Sequence, residues 1–154
     1  MNTVHAPIFL PDPEATSAFA QALAPLLRAG DCLLLEGQIG AGKTHFARAL
    51  IQEFTPEDVP SPTFTLVQTY DAPEFEIWHA DLYRLSHPDE AIELGLIEAF
   101  ETALCLIEWP EKLGDDAPKQ ALTLQLVPES EGRRVEFLSP APHWLQRLKA
   151  LDDV

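Results

Sequence analysis

A three-layer α/β fold, with a mainly parallel central sheet extended by antiparallel strands and helices on both faces, is predicted by three observations on this 154-residue chain. Short apolar runs at Cys32–Leu35 and in "ALCLIEW" (103–109) read as strands buried on both faces, the pattern of parallel strands covered by helices. The first run passes through a glycine-rich segment straight into helical periodicity, with Phe46, Ala47, Leu50, Ile51 and Phe54 on one stripe. Between the two runs, "FTLVQTY" and "FEIWHADLY" flank the turn-like "DAPE" and predict an antiparallel hairpin. The length suits one domain, residues 1–154, large enough to bury a core.

In chain order, Ile8–Leu10 is expected as a short strand. A helix follows, because Asp12 is a natural N-cap, Pro13 suits the first helical position and Glu14 favours the first turn. Phe19, Ala22, Leu23, Leu26 and Leu27 form its apolar face, Pro25 should kink or split it, and Gly30 should close it. After the glycine-rich segment and its helix, "TPEDVPSPT" marks an exposed loop before the hairpin. "HPDEAIELGLIEAFE" reads as one or two short helices, "ALTLQLV" and "RRVEFLS" as later strands, and "APHWLQRLKAL" as a terminal helix ahead of the solvated end "LDDV". In such a sheet the ligand crevice lies beyond the carboxyl ends of the parallel strands.

The glycine-rich segment carries the chemistry. Gly37-Gln38-Ile39-Gly40-Ala41-Gly42-Lys43-Thr44 has the Gly-x4-Gly-Lys-Thr spacing of a P-loop, whose successive backbone N–H groups converge on phosphate oxygens. Gly37, Gly40 and Gly42 permit backbone conformations and close approach that a Cβ would block. Lys43 supplies a point charge for β- and γ-phosphates, and Thr44 a hydroxyl for Mg²⁺. Gln38, Ile39 and Ala41 serve as spacers in the cradle, and His45 follows on the helix surface. A ligand-free turn between strand and helix would have no need of lysine and threonine at those two positions. A phosphate-bearing nucleotide with Mg²⁺ is therefore the expected ligand set.

Asp81 and Glu108 stand where apolar strands end, facing the same crevice. A P-loop enzyme needs one acid near Mg²⁺ and one group to orient the attacking water, and this pair completes that inventory. Either acid taken alone reads equally well as a solvent-facing strand end. His79 shares a strand face with Asp81, so it lies near the phosphates or packs in the core. Trp78 and Trp109 read as core or rim aromatics, and Arg84, Arg133 and Arg134 as candidate nucleotide or partner contacts.

Composition narrows the function. Ten basic against 25 acidic residues give a net charge of -15, which argues against an unaided grip on nucleic acid, so any RNA connection runs through a partner. The two cysteines, Cys32 and Cys105, lie in apolar stretches and read as reduced core residues. No secretory signal or membrane-spanning stretch is evident, so a soluble, cytoplasmic protein without membrane contact is expected.

The ordered set "GQIGAGKT", "SPTFTLVQTY", "HADLYRL" and "LIEWPEKL" resembles the TsaE family, small P-loop ATPases of bacterial tRNA threonylcarbamoyladenosine biosynthesis, from about Asp12 to Phe137. The resemblance implies a P-loop fold with antiparallel additions, binding of ATP or ADP with Mg²⁺, weak ATPase activity alone, and work beside TsaB-like and TsaD-like proteins, with tRNA met through that complex. It also implies site roles. Residues Gly37 to His45 hold the nucleotide, Thr44 and Glu108 attend Mg²⁺, and Asp81 orients water near the γ-phosphate. Lys43 acts on the phosphates, Thr65 of "SPTFT" belongs to a switch-like loop, and Asp12 and Arg133 match outer nucleotide-site positions. His45 stands where a second hydroxyl residue often occurs, and Gln38 where an acidic one is frequent.

Three other readings compete. A small-molecule kinase would need an acceptor pocket and an arginine-bearing lid, and neither "SPTFTLVQTY" nor "EWPEKL" supplies an obvious one. The lack of an Asn-Lys-x-Asp motif, the only asparagine being Asn2, speaks against a regulatory GTPase. A nucleotide-bound scaffold with little hydrolysis stays open, because P-loop binding and hydrolysis are separable.

Overall fold

A computed structural model describes residues 2–38, 40–56 and 66–153 of the chain. Seven strands form one sheet: β1 (Asn2–Leu10), β2 (Cys32–Glu36), β3 (Val67–Asp71), β4 (Glu76–Asp81), β5 (Leu104–Glu108), β6 (Leu122–Glu129) and β7 (Gly132–Ser139). Their order is β1-β7-β6-β2-β5-β4-β3. The four central strands, β6, β2, β5 and β4, run parallel, while β3 on one side and β7 and β1 on the other add antiparallel pairs. This is the expected three-layer α/β architecture.

Continuous apolar runs in β2 and β5 follow from burial on both faces. Leu33, Leu35, Leu104 and Leu106 enter one core, whereas Cys32, Leu34, Cys105 and Ile107 enter the other, so the period of two divides each run between two layers. Over the first face lie α1 (Pro13–Leu23), α2 (Lys43–Ile51) and α5 (His143–Arg147). Phe19 stacks on Phe46 with ring centroids 5.4 Å apart and meets Phe137 edge-on at 5.7 Å. Phe46, Ala47, Leu50 and Ile51 are fully buried along α2, each of the large side chains contributing about 1.5–3 kcal/mol. α3 (Asp89–Glu93) and α4 (Leu96–Thr102) supply Ala91, Leu96 and Ala99 to the second core.

Asp12 caps α1 as the sequence predicts, its Oδ1 accepting from the Ala15 N–H at 2.8 Å with Pro13 at the start of the helix. Two expectations in this N-terminal part need correction. β1 begins at Asn2, not Ile8, because Val4 is buried while β7 pairs with residues on both sides of the register irregularities between Thr3 and Ile8. Pro7 is tolerated there because β1 is an edge strand. Gly30 does not close α1. That helix ends at Leu23, a 3-10 turn over Ala24–Leu26 carries Pro25, and Gly30 instead takes φ +86 in the turn before β2, where its N–H donates to Ala103 O at 3.0 Å.

The hairpin, the two short helices, and β5, β6 and β7 lie where periodicity placed them, except that β3 begins at Val67 because Leu66 takes φ +62, while Phe64 and Thr65 of the expected strand lie outside the described residues. The terminal helix is α-helical only over His143–Arg147 and continues as a 3-10 helix through Asp153. Trp144 anchors it, fully buried and donating Nε1–H to Gln120 O at 2.8 Å, and Arg147 ion-pairs with Asp31 ahead of β2. Both cysteines are buried free thiols, and burial pushes Cys105 up to about 12. Among the described residues no helix is long and apolar enough to cross a membrane.

Candidate functional site

β2 ends at Glu36 and the chain turns through Gly37–Gly42 into α2, the order of elements that aims a helix N-terminus at the crevice beyond the parallel strands. Gly40 and Gly42 take φ +84 and +99, in the left-handed region that favours glycine. A Cβ on Gly42 would stand 1.6 Å from Arg133 Nη1, because that guanidinium crosses the loop and donates to Ala41 O at 2.6 Å. Ala41 N–H in turn donates to Gln38 O at 3.0 Å. Loop, α2 and the start of β7 thus form one unit.

Lys43 is 5% exposed, and its Nζ donates to Gly37 O at 2.6 Å, spanning the mouth of the loop. The same ammonium lies 3.5 Å from the ring centroid of Trp109. Burial pushes the Lys43 pKa down, an effect opposed by Glu108, Glu111 and Asp81. An ammonium has three donors, so the bond to Gly37 leaves two for an anion.

The carboxylates approach from the strand ends. Asp81 of β4 and Glu108 of β5 are paired neighbours in the parallel ladder. Thr44 Oγ1 donates to Glu108 Oε1 at 2.9 Å, and His79 Nε2 lies 2.7 Å from Glu108 Oε2, within a pair whose residues are 0% and 2% exposed. Asp81 is half-buried and accepts from the Tyr83 N–H at 3.1 Å. Burial raises its pKa, the Tyr83 bond lowers it, Glu108 raises it further, and His79 and Lys43 lower it.

A cavity of about 430 Å³ opens over these groups, lined by Gly40, Gly42, Lys43, Thr44, His45, Asp81, Tyr83, Arg84, Glu108 and Trp109. A larger cleft, about 600 Å³, lies at the opposite strand ends between Arg28–Cys32 and His143–Arg147. Size does not choose between them. Only the first brings a buried cation, a hydroxyl and two carboxylates to a glycine cradle, the convergence that marks a site for chemistry.

The donor set suits a hard cation beside phosphates. Thr44 and Glu108 offer a hydroxyl and a carboxylate oxygen in contact, and Mg²⁺ takes one or two such protein ligands, with water and phosphate supplying the rest. Among the described residues no cluster of three or more His, Cys, Asp or Glu could hold a metal by itself.

Over residues 10–135 the sequence matches the family described as "Threonylcarbamoyl adenosine biosynthesis protein TsaE". The chain belongs to the TsaE family. A Rickettsia bellii (strain RML369-C) relative named tRNA threonylcarbamoyladenosine biosynthesis protein TsaE is 40% identical over 137 residues, covering 88% of this chain and 95% of the relative. A Bacillus subtilis (strain 168) protein of the same name is 34% identical over 125 residues, covering 80% and 78%. The fold also matches the crystal structure of Bacillus subtilis YdiB, with a TM-score of 0.78 at 23% identity over 99% of this chain and 97% of that one.

In this TsaE-family chain the predicted site residues are distributed unevenly. Gly40, Gly42, Lys43, Thr44, His45, Asp81 and Glu108 meet at one cavity, with Gly37 and Ala41 completing the loop behind them and Gln38 exposed beside it. His45 Nε2 reaches Pro13 O at 3.3 Å, tying α2 to the start of α1. Asp12 and Arg133 do not line the cavity: Asp12 caps α1, and Arg133 braces the loop from outside. Ile39, Thr65 and most of "PEDVPSPTFT" lie outside the described residues. Arg134 is engaged by Glu129 and Glu136 on the sheet surface.

Trp109 is the residue that sequence reasoning underestimated. It takes φ +59 immediately after Glu108, a left-handed conformation costing a bulky residue about 1–2 kcal/mol, and that turn lays its ring against Lys43 and 5.0 Å from the Tyr83 ring. Its position directly behind a strand-end carboxylate was the available signal.

Proposed function

We propose that this chain is a Mg²⁺-dependent ATPase that acts in the threonylcarbamoyladenosine modification of tRNA beside TsaB-like and TsaD-like proteins. One observation carries the reading: Lys43 and Thr44 open α2 under a glycine loop while Glu108, from a separate strand, bonds to the Thr44 hydroxyl. That arrangement supplies phosphate charge balance and two oxygen ligands at one point, which family membership alone does not require.

In this reading the loop N–H groups and the two free Lys43 donors bind the phosphate oxygens of ATP or ADP. Thr44 and Glu108 hold Mg²⁺, which neutralises phosphate charge when bound. Asp81, at the cavity wall beside Glu108, accepts from and orients the water that attacks the γ-phosphate, and its burial-raised pKa makes it more basic than a free carboxylate. Trp109, packed against the Tyr83 ring, covers one side of Lys43 and limits its hydration. Arg133 keeps Gly42 and Ala41 in the binding conformation.

Turnover should be slow alone and rise with the partners, and direct tRNA affinity should be weak, since a chain of net charge -15 is poorly suited to hold RNA itself. The test combines ATP hydrolysis with threonylcarbamoyl transfer to tRNA over many turnovers, with and without this chain, Mg²⁺ and the TsaB-like and TsaD-like proteins. Multiple turnovers that require this chain and ATP support the proposal. Transfer that is indifferent to ATP hydrolysis favours a nucleotide-bound scaffold, and phosphate transfer to a small acceptor instead of water favours a kinase.

A further inference from the structure

We propose that His79 is the positioning residue that holds Glu108 for divalent-metal binding, an inference that rests on the Mg²⁺-nucleotide reading above. Glu108 is fastened at both oxygens by two different elements: Oε1 accepts from Thr44 of α2, and Oε2 from His79 of β4. An ionised carboxylate only accepts, so His79 Nε2 is the donor. The Nδ1 atom of the same ring is buried with no hydrogen-bond partner among the described residues.

That unpaired nitrogen bears on why a histidine is present. His79 is 0% exposed, on the strand face that also carries Ile77 and Asp81, with Leu106 as its neighbour across the ladder. An aliphatic side chain would fill this space without burying a polar atom that lacks a partner. What the imidazole adds is the bond to Glu108.

The two fastenings also differ in what happens on metal binding. A cation that approaches Glu108 Oε1 competes with the Thr44 hydroxyl for that oxygen, whereas Oε2 remains bonded to His79 in the interior. The His79 bond is therefore the fastening that survives loading, keeping the carboxylate aimed at the crevice without reorientation.

The experiment is calorimetry in two regimes: ADP binding in EDTA, and Mg²⁺ binding at saturating ADP. His79→Leu should weaken Mg²⁺ binding by about tenfold or more while leaving metal-free ADP affinity within about twofold. His79→Gln, whose side-chain amide extends far enough to donate to Oε2, should recover most of the Mg²⁺ affinity, whereas the shorter His79→Asn should not. If the leucine variant fails to fold, the Gln–Asn pair decides. Unchanged Mg²⁺ affinity in the leucine and asparagine variants overturns the inference, as does parallel loss of both affinities, which marks a purely structural role. An unsubstituted protein that binds ADP equally well with Mg²⁺ and with EDTA overturns the metal reading itself, and this inference with it.

Discussion

Thr44 Oγ1 donates to Glu108 Oε1 across 2.9 Å, joining residues 64 positions apart at the point where α2 begins and β5 ends. The contact exists because β2 and β5 are adjacent parallel strands, with Leu35 opposite Glu108, so the loop leaving β2 and the acid ending β5 emerge side by side. Parallel order thereby turns two separate motifs into one site.

Lys43→Ala should weaken ADP and ATP binding by roughly thirtyfold, about 2 kcal/mol, since a charge-assisted bond to phosphate is lost. Equilibrium binding in Mg²⁺ measures it. Affinity within a factor of two of the unsubstituted protein would contradict the assignment of the phosphate charge to Lys43.

Glu108→Ala and Asp81→Asn should fail differently. The first removes a metal oxygen and strips His79 Nε2 and the Thr44 hydroxyl of their acceptor, so Mg²⁺-nucleotide affinity drops and stability falls by about 1–3 kcal/mol. The second keeps an acceptor for the Tyr83 N–H and should lower hydrolysis more than binding. Binding isotherms, denaturant midpoints and single-turnover rates separate the two effects, and normal hydrolysis in both variants rejects the roles.

Glycine substitutions should rank by local geometry. Gly40→Ala meets open space and costs only its left-handed conformation, about 1–2 kcal/mol. Gly42→Ala carries a similar conformational cost and must also push Arg133 off Ala41 O, adding about 1 kcal/mol for that bond. Urea unfolding gives the order directly, and equal losses at both positions would show that Arg133 does not brace the loop.

Stability should also respond to pH through Asp81. Its folded pKa is raised above 3.8, chiefly by burial, so the folded state binds the proton more tightly and stability contributed by the protonated acid is lost as pH rises through the folded value. Asp81→Asn removes that loss. The variant should melt higher than the unsubstituted protein at neutral pH, with the gap shrinking as pH falls toward 3.8. A gap that widens on acidification would give the shift the opposite sign.

Local patterns in the sequence determined much of this protein. The Gly37–Thr44 spacing, the Asp12 cap, the apolar runs of β2 and β5 and the helical stripe of α2 each depend on residues within about two turns or one strand, where periodicity and side-chain chemistry are sufficient. The place of Gly30 and the length of β1 are not local properties, because the first depends on contact with Ala103 and the second on pairing with β7. Only the tertiary structure decided that His79 grips Glu108, that Trp109 lies against Lys43, and that Arg133 braces Gly42 from 91 residues away in number (133 − 42). The physical reason is that strand order and register, not sequence distance, set which side chains meet, and a lone histidine, tryptophan or arginine bears no periodicity that announces its partner.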